Sequence, residues 1–144
     1  LDKTSFEWNS KTVEDGIYEF KVTAFDKLSN DSETSLSGEK ISDQLTVDNT
    51  APTIECHELK IDGRKAFLSV RASDLYSTIS SFECTIDSNE NWDNVLPEDG
   101  VFDTQTESFK VKTDELKPGE HIIAVKITDA EDNTMYKTFE ININ

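Results

Sequence analysis

Val13-Glu14-Asp15-Gly16-Ile17-Tyr18-Glu19-Phe20-Lys21-Val22-Thr23-Ala24 is the stretch whose reading decides the fold. Tyr18, Phe20, Val22 and Ala24 alternate with Glu19, Lys21 and Thr23. Successive side chains of a strand point to opposite faces, so this alternation marks a β-strand with one buried face. Asp15-Gly16 just ahead of it is a turn signal. The pattern returns as Leu116-Lys117-Pro118-Gly119-Glu120-His121, followed by Ile123, Val125 and Ile127.

That return belongs to a longer internal repeat. An offset of 103 residues sets Ser5 on Ser108 and Phe6 on Phe109. The same offset pairs Trp8 with Val111, Val13 with Leu116 and Gly16 with Gly119. Tyr18 falls on His121, Phe20 on Ile123, Val22 on Val125, Ala24 on Ile127, Asp26 on Asp129 and Asn30 on Asn133, without a gap. The first copy then carries about nine extra residues within 31–41, after which Leu45 and Val47 match Phe139 and Ile141. A second copy that starts at Pro52 implies a first that would start about 50 residues before Leu1. Residues 1–50 therefore read as the back half of a domain, contributing three strands. Residues 51–144 have the length of one complete sandwich domain.

The remaining apolar runs alternate in the same way: Ile54 with Cys56; Ala66, Leu68, Val70 and Ala72; Phe82, Cys84 and Ile86; Phe109 with Val111; Phe139, Ile141 and Ile143. Turn signals separate them at Asp62-Gly63, Asp99-Gly100, Pro118-Gly119 and Asp132-Asn133. No segment has a helical period. Short strands at intervals of about 8–12 residues predict an all-β antiparallel sandwich. Asp48-Asn49-Thr50-Ala51-Pro52 joins the copies. Pro52 lacks an N–H and pushes Ala51 extended, which ends strand pairing. A linker this short is expected to hold the two domains end to end.

Composition narrows the functional classes. The formal net charge is −16, and 31% of residues are charged. Such a surface repels phosphate backbones and anionic lipid, so nucleic acid and direct membrane insertion are not expected. An acidic chain can also be disordered, but the ordered period-two runs argue against that. No apolar stretch approaches the roughly 20 residues that span a bilayer. The chain opens on Leu1 rather than Met, and is read as a processed product or a piece of a longer polypeptide. Two cysteines are too few for a disulfide-rich scaffold or a four-cysteine zinc site.

The residues resemble a known family at this point. Val13 to Ala24 looks like the sixth strand of fibronectin type III domains, entered through a tyrosine corner. Leu116 to His121 repeats that corner with His121 in place of the tyrosine. Phe82-x-Cys84-x-Ile86-Asp87 with Trp92, the run Glu98-Asp99-Gly100-Val101-Phe102-Asp103, and Val47-Asp48-Asn49-Thr50-Ala51-Pro52 are similar to patterns in extracytoplasmic immunoglobulin-like domains that accompany bacterial β-propellers. The resemblance implies one complete immunoglobulin/fibronectin III-like sandwich (residues 51–144) preceded by the C-terminal half of a second (residues 1–50). It also implies a bacterial secreted, periplasmic or cell-surface setting, with upstream domains of the same polypeptide, a β-propeller among them, as partners.

Candidate chemistry is sparse. Nucleophilic catalysis needs Ser or Cys beside a base. His57 follows Cys56 on one strand, where alternation points them to opposite faces. His121 occupies an inward corner position. No nucleophile elbow or phosphate-cradling glycine loop is present, so no catalytic residue is expected. Two His and two Cys are too scattered for a transition metal. Oxygen ligands for calcium gather at Asp129, Glu131, Asp132 and Asn133, and at Asp87, Glu90 and Asp93. Neither set has calcium-loop spacing, and Asp and Asn equally serve turns by bonding their own backbone, so neither a metal nor a cofactor is expected. Trp92, Tyr76 and Trp8 are the aromatics available to a sugar, and Trp8 and Trp92 read as packed on the sandwich. Alternation places both Cys56 and Cys84 toward the core. A free thiol packs there as a small hydrophobe, and a cross-core disulfide is open only if the Cα atoms come within about 7 Å.

The sequence thus reads as a non-catalytic structural or interaction module that positions or caps an upstream domain. Two other readings stay open: a carbohydrate-binding accessory domain, and the sensor part of a signalling receptor. Three strands alone would leave Phe6, Trp8, Tyr18, Phe20, Val22, Leu45 and Val47 facing water. Residues 1–50 are therefore expected to be covered by the missing half, by the complete domain, or by self-association of two copies, the last being favoured for this chain by itself.

Overall fold

The computed structural model describes residues 5–26, 30 and 34–144. The chain divides into two compact units, Leu1–Asp48 and Asn49–Asn144. The boundary falls inside the expected linker, two residues ahead of Ala51.

Among the described residues, unit 1 carries a 3-10 turn at Ser10–Thr12 and four short strands: β1 (Gly16–Tyr18), β2 (Lys21–Phe25), β3 (Ser37–Ile41) and β4 (Leu45–Val47). The deciding stretch is a strand broken at Glu19-Phe20. Its first half, β1, pairs antiparallel with β4, and its second half, β2, pairs antiparallel with β3. Phe20 N–H still bonds at the break, to Ser42 Oγ at 2.9 Å. Phe6 and Trp8 were expected on a strand, yet residues 5–9 join no ladder. Trp8 instead packs edge-on against Tyr18 and Phe20, with ring centroids 5.6 Å and 5.1 Å apart.

Unit 2 has seven strands: β5 (Thr53–Asp62), β6 (Lys65–Ser73), β7 (Ile79–Ile86), β8 (Asp93–Asn94), β9 (Thr106–Lys112), β10 (Gly119–Asp129) and β11 (Thr134–Ile143). They form two antiparallel sheets in the orders β5-β6-β9 and β11-β10-β7-β8. The turn between β5 and β6 places Gly63 at φ +60, a conformation glycine reaches without steric cost. Inward residues of both sheets merge into one apolar core. Ala66, Leu68, Val70, Ala72, Phe109 and Val111 come from one sheet, and Ile79, Phe82, Cys84, Ile123, Val125, Ile127, Phe139, Ile141 and Ile143 from the other. Phe82 and Phe109 stack across the sheets with centroids 4.2 Å apart and planes 19° apart. The architecture is all-β and sandwich-like, and alternation in β6, β9 and β10 matches burial residue by residue. On the outer face, Lys126 and Glu83 stand opposite each other in register and pair at 2.5 Å.

β5 corrects one expectation. Cys56 is exposed and free, whereas Cys84 is buried and free. Cys56 stands opposite buried Val70 and so has the expected face. However, β5 is an edge strand bonded only to β6, and its ladder shifts between Cys56 and Glu58, leaving His57 as an extra residue. Such a bulge bends the strand. Leu59 and Ile61, opposite buried Leu68 and Ala66, are likewise exposed at 37% and 41%. The inner face along this edge is uncovered, so alternation alone overstates burial.

Candidate functional site

His121 lies near the start of β10, two residues after the Pro118-Gly119 turn. Its Nε2 bonds the Lys117 carbonyl at 2.7 Å, and its Nδ1 lies 2.5 Å from Asp87 Oδ2. Asp87 follows β7 with φ +51, a left-handed conformation that Asp and Asn tolerate better than most residues. Asp87 Oδ1 accepts from Ile122 N–H at 2.8 Å. Both imidazole nitrogens therefore face acceptors, and only the imidazolium can donate to both. The Asp87 carboxylate, then the Lys117 carbonyl, hold the His121 pKa above its ordinary 6.5. The His121 ring, then the Ile122 amide, hold Asp87 below its ordinary 3.8. Beside the pair, Glu120 and Glu140 line an open hollow of about 540 Å³.

Unit 1 builds the matching corner with the residue His121 replaces. Tyr18 O–H donates to the Glu14 carbonyl at 2.6 Å, four residues back, as His121 does to Lys117. The corner bond is thus kept in unit 2, with an imidazole nitrogen in place of the hydroxyl. The cost is dependence on pH. A group whose folded pKa is raised stabilises the fold below its unfolded pKa and loses that contribution as pH rises through the folded value. For Asp87 the sign is opposite, and its contribution fades as pH falls below 3.8. The melting temperature of unit 2 is therefore expected to fall as pH rises above the ordinary 6.5 of a histidine and through the raised pKa of His121. His121→Tyr, which restores a neutral donor, should flatten that slope. Thermal melts at stepped pH read it directly, and equal slopes in both proteins would remove the imidazolium from the account.

The acidic turn residues are occupied in the same repeated way. Asp129, 1% exposed, accepts through Oδ1 from Glu131 N–H and Asn133 N–H at 2.9 Å each, and through Oδ2 from the Asn133 amide at 3.0 Å. In unit 1 the aligned Asp26 accepts from the Asn30 amide at 2.6 Å and from Leu36 N–H at 2.7 Å. Its pKa is lowered, chiefly by the Leu36 amide. An Asp that bonds the backbone ahead of it closes the loop between paired strands. Asp74 also bonds the backbone ahead of it, in the loop that carries the chain from β6 in one sheet to β7 in the other, accepting from Tyr76 N–H and Ser77 N–H at 2.8 and 2.9 Å. An Asp74 carboxylate oxygen comes within 4.8 Å of one of Asp129. Calcium takes six to eight oxygens, and these carboxylates already serve turn amides. Among the described residues, Asp87, Glu90 and Asp93 do not converge, nor do Asp129, Glu131 and Asp132.

The other candidates lie apart. His57 is exposed on the β5 bulge, 3.9 Å from Glu55. Cys84 lies in the core, where burial pushes its thiol up to about 11. Nucleophilic thiols are those with a depressed pKa. Trp92 is half-buried, donates to the Asn89 carbonyl at 3.2 Å, and meets Tyr136 at 71° between planes. That geometry is edge-on rather than a flat stacking platform.

The Asp87–His121 bridge was invisible to sequence reading because 34 residues separate its members. The usable signal was a histidine standing where the repeat has Tyr18, since it too must find an acceptor. No protein-family model matches the chain, and no curated protein matches it. Among the described residues no helix is long and apolar enough to cross a membrane. The structure defines the chain as all-β, built of antiparallel sheets.

Proposed function

We propose that this chain is a non-catalytic structural and interaction module of the immunoglobulin/fibronectin III type, which positions or caps upstream domains of a larger extracytoplasmic protein. The observation that carries this reading is how the reactive side chains are employed. His121 and Asp87 fasten the β10 corner, Asp26, Asp74 and Asp129 close turns, and Cys84 fills the core. These groups hold strands together instead of surrounding a reactive point. The strand orders β5-β6-β9 and β8-β7-β10-β11, with a Tyr or His corner at the strand entry, support the finer fold type. The setting, with a β-propeller among the upstream domains, rests on the resemblance of Val47 to Pro52 and of the Phe82 to Trp92 strand pattern.

The test is an assay of the purified chain against ester, phosphate and glycoside substrates. Turnover at the uncatalysed rate is expected. Turnover above that rate, abolished by His57→Ala or His121→Ala, would overturn the proposal.

A further inference from the structure

Unit 2 shows which strands stand beside those that unit 1 repeats. β10 is bonded along both edges, to β11 on one side and to β7 on the other. The repeat maps β10 onto β1 and β2. These are bonded along one edge only, to β4 and β3, among the described residues. The open edge is the one that β7 fills in unit 2. There Cys84 stands opposite Val125, and Ile86 opposite Ile123. A second gap lies beside Phe6 and Trp8. Their counterparts Phe109 and Val111 sit on β9, which pairs with β6, whereas residues 5–9 pair with no strand.

Exposure repeats the pattern. Phe109, Ile123 and Val125 are each 0% exposed, while the aligned Phe6, Phe20 and Val22 are 82%, 37% and 65% exposed. Yet the closing devices of a finished sandwich are formed in unit 1: the Tyr18 corner and the Asp26–Asn30 turn. The local bonds are complete, yet much of the apolar face is open: Phe6, Phe20, Val22 and Leu45 are exposed, Trp8 and Tyr18 are half-buried, and Val47, expected to face water, is buried. Soluble proteins seldom leave so large a face open, and an open strand edge recruits another strand.

We propose that unit 1 is the receiving half of a split sandwich. Its partner is a β-sheet segment equivalent to β5–β8, with large apolar residues at alternate positions, added edge-to-edge along β1 and β2 and over Phe6 and Trp8. Recognition is by strand addition, in which main-chain bonds supply affinity and alternate side chains supply specificity. A second copy of this chain fits less well. Its unit 1 offers only back-half strands, which could meet the β1–β2 edge but do not supply the counterpart of β6 that the gap beside Phe6 calls for. It also brings a second formal charge of −16.

The repeat supplies the probe. Residues 51–103, which hold β5–β8, are fused directly ahead of Leu1 in the full chain, because the offset sets Thr104 on Leu1. Amide exchange over Val22–Ala24 is followed by mass spectrometry in the chain and in the fusion, with Val125 in the same molecule as the reference for a folded sandwich. The chain is expected to have a monomer's mass by light scattering, with fast exchange in β2. In the fusion, exchange there should slow by on the order of a hundredfold, and Val22→Asp should abolish the gain. Unchanged exchange in a fusion whose Val125 region is protected would overturn the proposal. So would slow exchange in the monomeric chain itself, or a dimer whose β2 protection disappears on dilution, which would assign the face to a second copy.

Discussion

Val125→Asp is expected to unfold unit 2, whereas Val22→Asp, the same change at the same place in the repeat, should leave its melting unchanged. Val125 is 0% exposed and lies between Cys84 on β7 and Lys137 on β11 in the ladder. A carboxylate there must give up its hydration, at an effective cost of several kcal/mol, or take up a proton and remain a buried polar group. A domain of this size is stable by only about 5–15 kcal/mol in all. The cation in register, Lys137, already donates to the Ile54 carbonyl at 3.0 Å. Drawing its ammonium inward would bury a second ion, so pairing offsets only part of the loss. Val22 is 65% exposed, and a carboxylate there keeps its water. Circular dichroism melts of the two variants suffice. A Val125→Asp protein that melts like the parent would mean that the faces of β10 are reversed.

Phe82→Ala has the next largest expected effect. The Phe82 ring, 1% exposed, stacks on Phe109, 0% exposed, from the facing sheet. Phe102 also packs against Phe109, with centroids 5.9 Å apart and planes 35° apart. Truncation opens a hole at the middle of the core, where backbone fixed by β6 and β10 cannot collapse to fill it. Buried Phe→Ala changes cost about 3–5 kcal/mol. For a unit of this length that lowers the melting temperature by roughly 15 °C or more. Urea unfolding should show a lower midpoint with an unchanged slope, because the surface exposed on unfolding stays nearly the same. A loss under about 1 kcal/mol would show that the stack contributes little beyond what the cavity's neighbours recover.

Much of this molecule is set by local chemistry and is legible in the sequence. Alternation identifies the inward residues of β6, β9 and β10, because a two-residue period leaves no choice of face once one is buried. In β7 it holds for Phe82 and Cys84 but not for buried Thr85, nor for buried Ile79, where the ladder to β10 shifts register at Thr128/Asp129. The corner and the Asp–Asn turn are likewise local, since donor and acceptor lie four residues apart in both copies. Only tertiary structure could decide the rest. Cys56 has the inward face yet meets solvent, because burial depends on what stands opposite an edge strand and a period carries no record of that. Phe6 and Trp8 have strand periodicity yet join no ladder, because a strand is stabilised by a bonded neighbour and theirs, the counterpart of β6, is not among the described residues. His121 could be seen to lack the tyrosine hydroxyl, but its carboxylate partner had to be brought by the fold from the end of β7.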